Sequence, residues 1–299
     1  MNQDYGTGRL FETVCFVGIG HIGASLACAL RKHGLAGRIL CLESSDEARR
    51  VAVDLGVVDE AFADPVPAVA AADLVVLAVP VGAMEEVGRA IAPHLKPGAV
   101  VTDVGSVKMA VIRDLGPLIP DGIHYIPGHP IAGTEHSGPA SGFAELFEGR
   151  WQILTPLPGT DETALAKLCA LWRRVGSMVE LMEPAHHDRV LAITSHLPHL
   201  IAYTIVGTAS DLADHLQQEV IKFSASGFRD FTRIAASDPI MWRDIFLNNR
   251  EAVLEVIQRF TEDLTALQRA IRWGEGEVLE SKFRETRAIR RAIIDAKQA

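Results

Sequence analysis

At 299 residues, with 48% of them hydrophobic and 22% charged, the chain is long enough for two domains with a sizeable core. Its formal charge of -9 argues against non-specific nucleic-acid binding and against an anionic membrane surface, and any anionic substrate must be met by local cations. Cys15, Cys28, Cys41 and Cys169 form no C-x-x-C pair, which speaks against a zinc ribbon or redox motif and fits a reducing cytoplasm. The opening MNQDYGTGRLFET lacks a signal-peptide core, and no apolar run reaches the ~18 residues of a membrane span.

Residues 1–12 read as a loose polar arm, and residues 13–17 as a buried strand. The strand runs into Gly18-Ile19-Gly20-His21-Ile22-Gly23, then a helix over residues 24–32, then a second strand over residues 38–42 that ends at Glu43. G-x-G-x-x-G alone is a weak signal. Here strand, glycines, helix, strand and acid come in order, with Glu43 twenty residues past Gly23, which is the dinucleotide fingerprint in its required context. Gly18 makes the tight turn, Gly20 admits the pyrophosphate, and Gly23 lets helix and strand pack closely. The helix N-terminus offers N–H groups to the phosphates. Glu43 accepts hydrogen bonds from the adenosine ribose and repels a 2′-phosphate, so the expected cofactor is NAD rather than NADP.

The alternation continues with a helix over residues 45–55 and a doubly buried strand over residues 74–79, where Val79 and Pro80 stand at the nicotinamide end. A helix over residues 81–95, a strand over residues 99–104 and the segment Gly105-Ser106-Val107-Lys108 follow. His124-Tyr125-Ile126-Pro127 delivers the loop Gly128-His129-Pro130-Ile131-Ala132-Gly133-Thr134-Glu135-His136-Ser137-Gly138 to the same sheet edge. That loop holds three glycines, two histidines, a glutamate and two hydroxyls in eleven residues, and a histidine so placed exchanges a proton near neutral pH. Residues 151–156 and 177–182 read as closing strands, with a helix between them.

From Glu183 the periodicity is helical, so Glu183-Pro184 is the expected boundary between a 1–183 Rossmann-type domain and an all-α 184–299 domain. Helices are expected over residues 184–214, 217–223, 228–236, 238–272 and from 276 onward. The apolar stripe from Met241 suits a helix packed on a second copy of the chain, hence a homodimer. Ser195-His196-Leu197-Pro198-His199 puts two histidines on one helix face, but no third ligand accompanies them and no metal is expected. Gly227-Phe228-Arg229-Asp230-Phe231-Thr232-Arg233 carries two arginines with apolar neighbours, and Asp238-Pro239-Ile240-Met241-Trp242-Arg243-Asp244 reads as a helix start with Asp238 as its cap.

Taken together, GIGHIG, DVGSVK (residues 103–108), GHPIAGTEHSG, SHLPH and FRDFTRIAASDPIMWRDI (residues 228–245) make the chain resemble the prephenate/arogenate dehydrogenases of tyrosine biosynthesis over residues 13–299. The resemblance implies a helical dimerisation domain. It also implies NAD-dependent oxidative decarboxylation of prephenate to 4-hydroxyphenylpyruvate, or of arogenate to tyrosine. Through it, His129 is the catalytic histidine on the ring hydroxyl and Ser106 the serine that orients it. His199 and Arg233 contact the carboxylates of a dicarboxylate substrate and are expected to be buried in the cleft. Thr134 and Glu135 stand at the pocket mouth, and Asp230 pairs across the dimer. Two readings compete. One is a 3-hydroxyacid or 6-phosphogluconate-type dehydrogenase, which needs a relay lysine in the helical half, where Lys222, Lys282 and Lys297 match no such motif. The other is a non-catalytic NAD-binding sensor, against which the His129–Ser106 pair argues.

Overall fold

A computed structural model describes residues 8–134, 136–211 and 226–295. The chain falls into two compact units, residues 1–250 and 251–299. The change from sheet to helix at Glu183 lies within the first.

Six parallel strands organise the first unit: β1 (Phe11–Val17), β2 (Ala36–Leu42), β3 (Glu60–Phe62), β4 (Leu74–Leu77), β5 (Val100–Asp103) and β6 (His124–Tyr125), in the order β3-β2-β1-β4-β5-β6. The order reverses between β1 and β4, which opens a crevice at the carboxyl ends of the strands, where such sheets bind ligands. Every residue of β4 and β5 is buried, as continuous apolar runs covered on both faces must be. One core layer gathers Phe16, Ile19, Leu26, Leu30 and Trp172, and the other Val17, Leu77, Met84, Val101 and Leu115. Ser45 caps the helix Asp46–Asp54 by accepting a hydrogen bond from the Ala48 N–H at 3.2 Å. β3 and the short helix Pro65–Val69 were not expected: a three-residue edge strand is too short to show a period.

The two closing strands do not join this sheet. β7 (Gly128–Pro130), β8 (Trp151–Leu154) and β9 (Met178–Leu181) form a separate three-stranded sheet, β7 antiparallel to β8 and β8 parallel to β9. The segment read as a loop therefore begins as a strand, with His129 opposite Ile153 and its backbone fixed by a ladder.

The helical region opens at Glu183, whose carboxylate accepts from the N–H groups of Ala185 and His186 at 3.0 and 2.8 Å, with Pro184 in the first turn. The helix Pro184–Leu191 passes through a π-turn, Ala192–His196, into the helix Leu197–Asp211. Against the sequence reading, Pro184–Asp211 has the length and mean hydropathy, 1.4, of a membrane span; its polar His187, Asp188 and His196 are buried in this fold. The helix expected over residues 217–223 lies outside the described residues. Further on come the helix Ser226–Thr232, the 3-10 turn Arg233–Ala236 and the helix Pro239–Asn248, whose first N–H groups Asp238 caps. The single long helix expected to follow is broken at Asn249, which leaves helical geometry (φ -106°, ψ 31°). Its buried amide donates to the Asp188 carbonyl at 2.8 Å and to His196 Nδ1 at 3.1 Å, bonds that hold the break.

The second unit consists of the remainder of the helix Arg250–Trp273 and the helix Gly276–Asp295. Leu254, Leu264, Ile271, Trp273, Val278, Phe283 and Ile289 are all more than half exposed there.

Candidate active site

The glycine turn between β1 and the helix His21–Lys32 has the geometry a dinucleotide requires. Gly18 has φ +86°, and a Cβ there would stand 2.7 Å from the Ala78 carbonyl oxygen, so the turn and the end of β4 fit only around glycine. A Cβ at Gly23 would meet the Gly18 carbonyl oxygen at 2.8 Å, the close helix–strand packing expected of the third glycine. At Gly20 a Cβ would meet nothing within 4 Å. That glycine faces open space at the N-terminus of a helix that no side chain caps, which leaves its first N–H groups for an anion. Ile19 is fully buried beneath the turn and Ile22 is half-buried against the core. Glu43 lies across the turn, with one carboxylate oxygen accepting from the Ile19 N–H at 3.2 Å and the other from the Ser45 N–H at 2.9 Å. On the far side of the crevice Val79 is half-buried and Pro80 exposed, and the next turn, Val81–Ala83, packs on Asp244 of the helix Pro239–Asn248.

His21 does more than complete the motif. Its Nδ1 lies 3.1 Å from the Ser141 carbonyl and its Nε2 3.3 Å from the Thr134 hydroxyl. The loop that follows β7 is thereby tied to the glycine turn at two points, and Thr134 is exposed. Glu135 lies outside the described residues.

His129 stands at the centre of a buried polar cluster. Asp103, at the end of β5, and Lys108, at the start of the helix Lys108–Leu115, form a fully buried ion pair that grips the peptide before His129. The Gly128 N–H faces Asp103 Oδ2 at 3.4 Å, and Lys108 Nζ donates to the Gly128 carbonyl at 2.5 Å. His129 itself is 9% exposed, and its Nδ1 lies 2.9 Å from His187 Nε2. His187 Nδ1 in turn lies 2.8 Å from Asp188 Oδ1. Burial, reinforced by the charges of His187, Lys108 and His196, holds His129 well below the usual histidine value, so the ring is neutral at pH 7.

Here the structure departs from the sequence reading. Ser106 is half-buried beside this cluster, yet its side chain makes no hydrogen bond among the described residues. The group that contacts the His129 ring is His187, 58 residues away. His187, Asp188 and Lys108 were given no role from the sequence. The available signal was the run His186-His187-Asp188 in the helix that opens the second half.

The π-turn arranges the other histidines. An α-helix rotates by about 100° per residue, so nine positions would place His196 opposite His187. One extra residue in the turn brings His196 and His199 back toward the His187 side. His196 is 1% exposed, and burial pushes its value down to about 4. His199 is half-buried and stacks on Trp242, ring centroids 3.6 Å apart. Its Nδ1 lies 2.9 Å from the Ser195 carbonyl. Burial lowers its pKa, and the Arg233 charge lowers it further, which places Arg233 within electrostatic reach. Arg233 is exposed rather than buried, because it opens a 3-10 turn at the end of the helix Ser226–Thr232. Asp230, on that helix, is exposed as well. Lys282 is exposed and paired with Glu285, and Lys222 and Lys297 lie outside the described residues. No group of three or more His, Cys, Asp or Glu is arranged for a metal ion among the described residues.

Two family profiles match the chain: the nucleotide-binding domain of prephenate dehydrogenase over residues 26–181 and its dimerization domain over residues 183–285. A cyclohexadienyl dehydrogenase of Zymomonas mobilis is 41% identical over 284 residues, 95% of this chain and 97% of that protein. Among solved structures, the Aquifex aeolicus prephenate dehydrogenase in complex with hydroxyphenyl propionate and NAD+ superposes with a TM-score of 0.87 at 38% identity, covering 94% of this chain and 98% of that one. The Synechocystis arogenate dehydrogenase superposes with a TM-score of 0.77 at 30% identity, covering 93% and 98%.

Proposed function

The chain belongs to the prephenate dehydrogenase family, and from that premise we propose that it oxidatively decarboxylates prephenate, arogenate or both, with NAD+ as hydride acceptor. The single observation that carries the reading is His129: a buried neutral imidazole fixed on β7, next to the carboxyl end of β5. The relative acting on cyclohexadienyl substrates and the arogenate dehydrogenase fold neighbour support keeping both substrates.

The open face at Gly20, the uncapped helix and Glu43 fit a dinucleotide without a 2′-phosphate. NAD+, when bound, supplies the site that takes up the hydride. The substrate ring carries a hydroxyl on the carbon that loses hydride and a carboxylate on the carbon opposite. His129 accepts a hydrogen bond from that hydroxyl. As hydride departs, the hydroxyl becomes strongly acidic and its proton moves to the ring nitrogen, general-base catalysis by a weak base against a developing acid. Loss of CO2 then returns an electron pair through the ring to the oxygen. The resulting phenolate takes the proton back from His129. The proton is borrowed, so the histidine ends each cycle neutral. Arg233, whose charge acts on the neutral His199, supplies the local cation that an anionic substrate needs on a chain of charge -9.

The reading extends to assembly and place. Division into domains 1–183 and 184–299 is supported by the two profiles, which meet between residues 181 and 183. A homodimer through the helical half is supported by the dimerization profile and by the exposed apolar residues of the last two helices; light scattering showing a monomer at micromolar concentration would rule it out. Four free cysteines suit a reducing cytoplasm. The deciding experiment follows NADH absorbance with prephenate and with arogenate. Turnover of at least one is expected, and turnover of neither overturns the reaction.

A further inference from the structure

The geometry points to His187 and Asp188 as positioning residues that fix the tautomer of His129, so that its Nε2 is the lone-pair nitrogen offered to the substrate hydroxyl. The inference rests on His129 being the proton acceptor, as proposed above, and deepens that reading.

The argument starts at a helix end. The helix Lys108–Leu115 has Val107 at its N-cap position and no side-chain cap of its own. Asp188, 80 residues away, takes that place: its Oδ1 accepts from the Lys108 N–H at 2.7 Å and its Oδ2 from the Met109 N–H at 2.9 Å. Backbone amides only donate, so both oxygens act as acceptors. The helix dipole favours the anion at this position, and protonating the carboxyl would forfeit charge-assisted bonds to both amides. His187 Nδ1 lies 2.8 Å from Oδ1, the oxygen that already accepts from Lys108. A lone pair on that nitrogen would face a lone pair, so Nδ1 carries the hydrogen.

A neutral imidazole has one N–H and one acceptor. With Nδ1 of His187 protonated, its Nε2 is the acceptor. His129 Nδ1 lies 2.9 Å from that Nε2 and must supply the hydrogen. The Nε2 of His129 is then left with its lone pair. Every donor and acceptor assignment in the row is forced by the one before it, back to two backbone amides. The row also serves the charged state. When His129 holds the borrowed proton at Nε2, its Nδ1–H donates more strongly to His187, whose other nitrogen is anchored on the Asp188 carboxylate. The logic is that of a triad aspartate that holds a catalytic histidine in its productive tautomer, extended by one ring.

The test begins with wild-type protein labelled with 15N-histidine and without substrate. His129 is identified among the eleven histidines by the resonances missing from His129→Asn. The expected spectrum shows a pyrrole-type Nδ1 and a pyridine-type Nε2. An Nε2–H form overturns the proposal, and the wild-type spectrum decides this even where a variant fails to fold. His187→Leu removes the acceptor, so His129 should shift to the Nε2–H form. Its kcat with prephenate and NAD+ should then fall by about 10²–10⁴-fold, the scale of a wrong tautomer. Substrate KM and NAD+ affinity should change little, the split expected when only the transition state is affected. His187→Gln offers a side-chain oxygen near the original Nε2 position and should recover kcat to within about tenfold of wild type, the worth of one imperfect hydrogen bond. A His187→Leu enzyme with wild-type kcat, or Gln and Leu variants that fall equally, overturns the proposal. A wild-type protein with the expected tautomer but no turnover of either substrate supports the positioning row and overturns the reaction.

Discussion

The two ends of the proposed reaction site are built in opposite ways. The cofactor end is one local stretch, Gly18 to Gly23, completed by a single carboxylate from the next strand. The proton-handling end draws on five separate places: the end of β5, the start of the helix after it, β7, the middle of the helix Pro184–Leu191, and the break at Asn249. The first end works through backbone, with side chains kept away. The second works through side chains that have no function until the fold brings them together. The first should therefore tolerate no Cβ where backbone approaches backbone, and the second should fail through loss of single polar atoms.

The largest expected effect is at the second end. His129→Asn keeps a polar side chain that cannot take the proton, and should lose about 10²–10⁴-fold in kcat, the usual size of a general-base contribution, with NAD+ affinity retained. Because burial and the neighbouring charges hold His129 well below 6.5, the acid limb of the wild-type kcat profile should lie below that value. Near wild-type turnover in the variant would reduce the cluster to a structural one.

The cofactor end is tested by a pair of alanines. Gly18→Ala combines a positive φ with a Cβ 2.7 Å from a carbonyl oxygen, and should destabilise the fold by about 2–5 kcal/mol through backbone strain and overpacking. Gly20→Ala meets open space, so the thermal midpoint should stay put while NAD+ affinity falls. Equal stability losses would mean that Gly20 is as structural as Gly18.

This difference also explains what was legible in the sequence. The glycine turn, β1, β2, β4 and Glu43 were readable because their chemistry is set by spacing along the chain. His129 stands out in the sequence as a candidate proton acceptor, but its strand reads as a loop, since a three-residue ladder leaves no period. The His129–His187 bond was not readable: it spans 58 residues and depends on where a helix cap falls. The break at Asn249 was hidden for the same reason, since nothing in the local sequence says that an amide will be needed by Asp188 and His196. β3 escaped because it is short, and the rotation of His196 and His199 because a π-turn leaves no periodic trace.

Acid stability bears on the second end as a whole. His129, His187, His196 and His199 all have values depressed chiefly by burial. A histidine of this kind contributes stability that is fully present above its unfolded value, near 6.5, and is lost as pH falls toward its folded-state value. His196, pushed down to about 4, accounts for roughly 3 kcal/mol across that window by linkage. Urea midpoints should fall steadily from pH 6.5 to about 4, and a flat profile would mean that these rings reach water.

Arg233 sits between the two constructions, since it was read from a motif but proved exposed. Arg233→Ala should raise the substrate KM by about 10–100-fold, corresponding to one hydrogen bond to a charged group, about 1.5–3 kcal/mol. NAD+ affinity should not change. A KM within a factor of about two would leave Arg233 as a surface charge.

The smallest effect is expected at Ser106, and it sharpens the comparison most directly. The family resemblance makes this serine the group that orients His129, whereas the structure gives that contact to His187. The Ser106 hydroxyl makes no hydrogen bond among the described residues. Any part it has in holding the imidazole belongs to the complex with substrate and cofactor, through one neutral hydrogen bond. Ser106→Ala should cost about 0.5–1.5 kcal/mol in kcat/KM, roughly two- to tenfold, with the His129 tautomer unchanged in the 15N spectrum. His187→Leu, measured beside it, should lose at least ten times more kcat and change the tautomer. If Ser106→Ala were the more damaging of the two, the hydroxyl would hold the imidazole in the ternary complex, and the row from Asp188 through His187 would matter only to the resting enzyme.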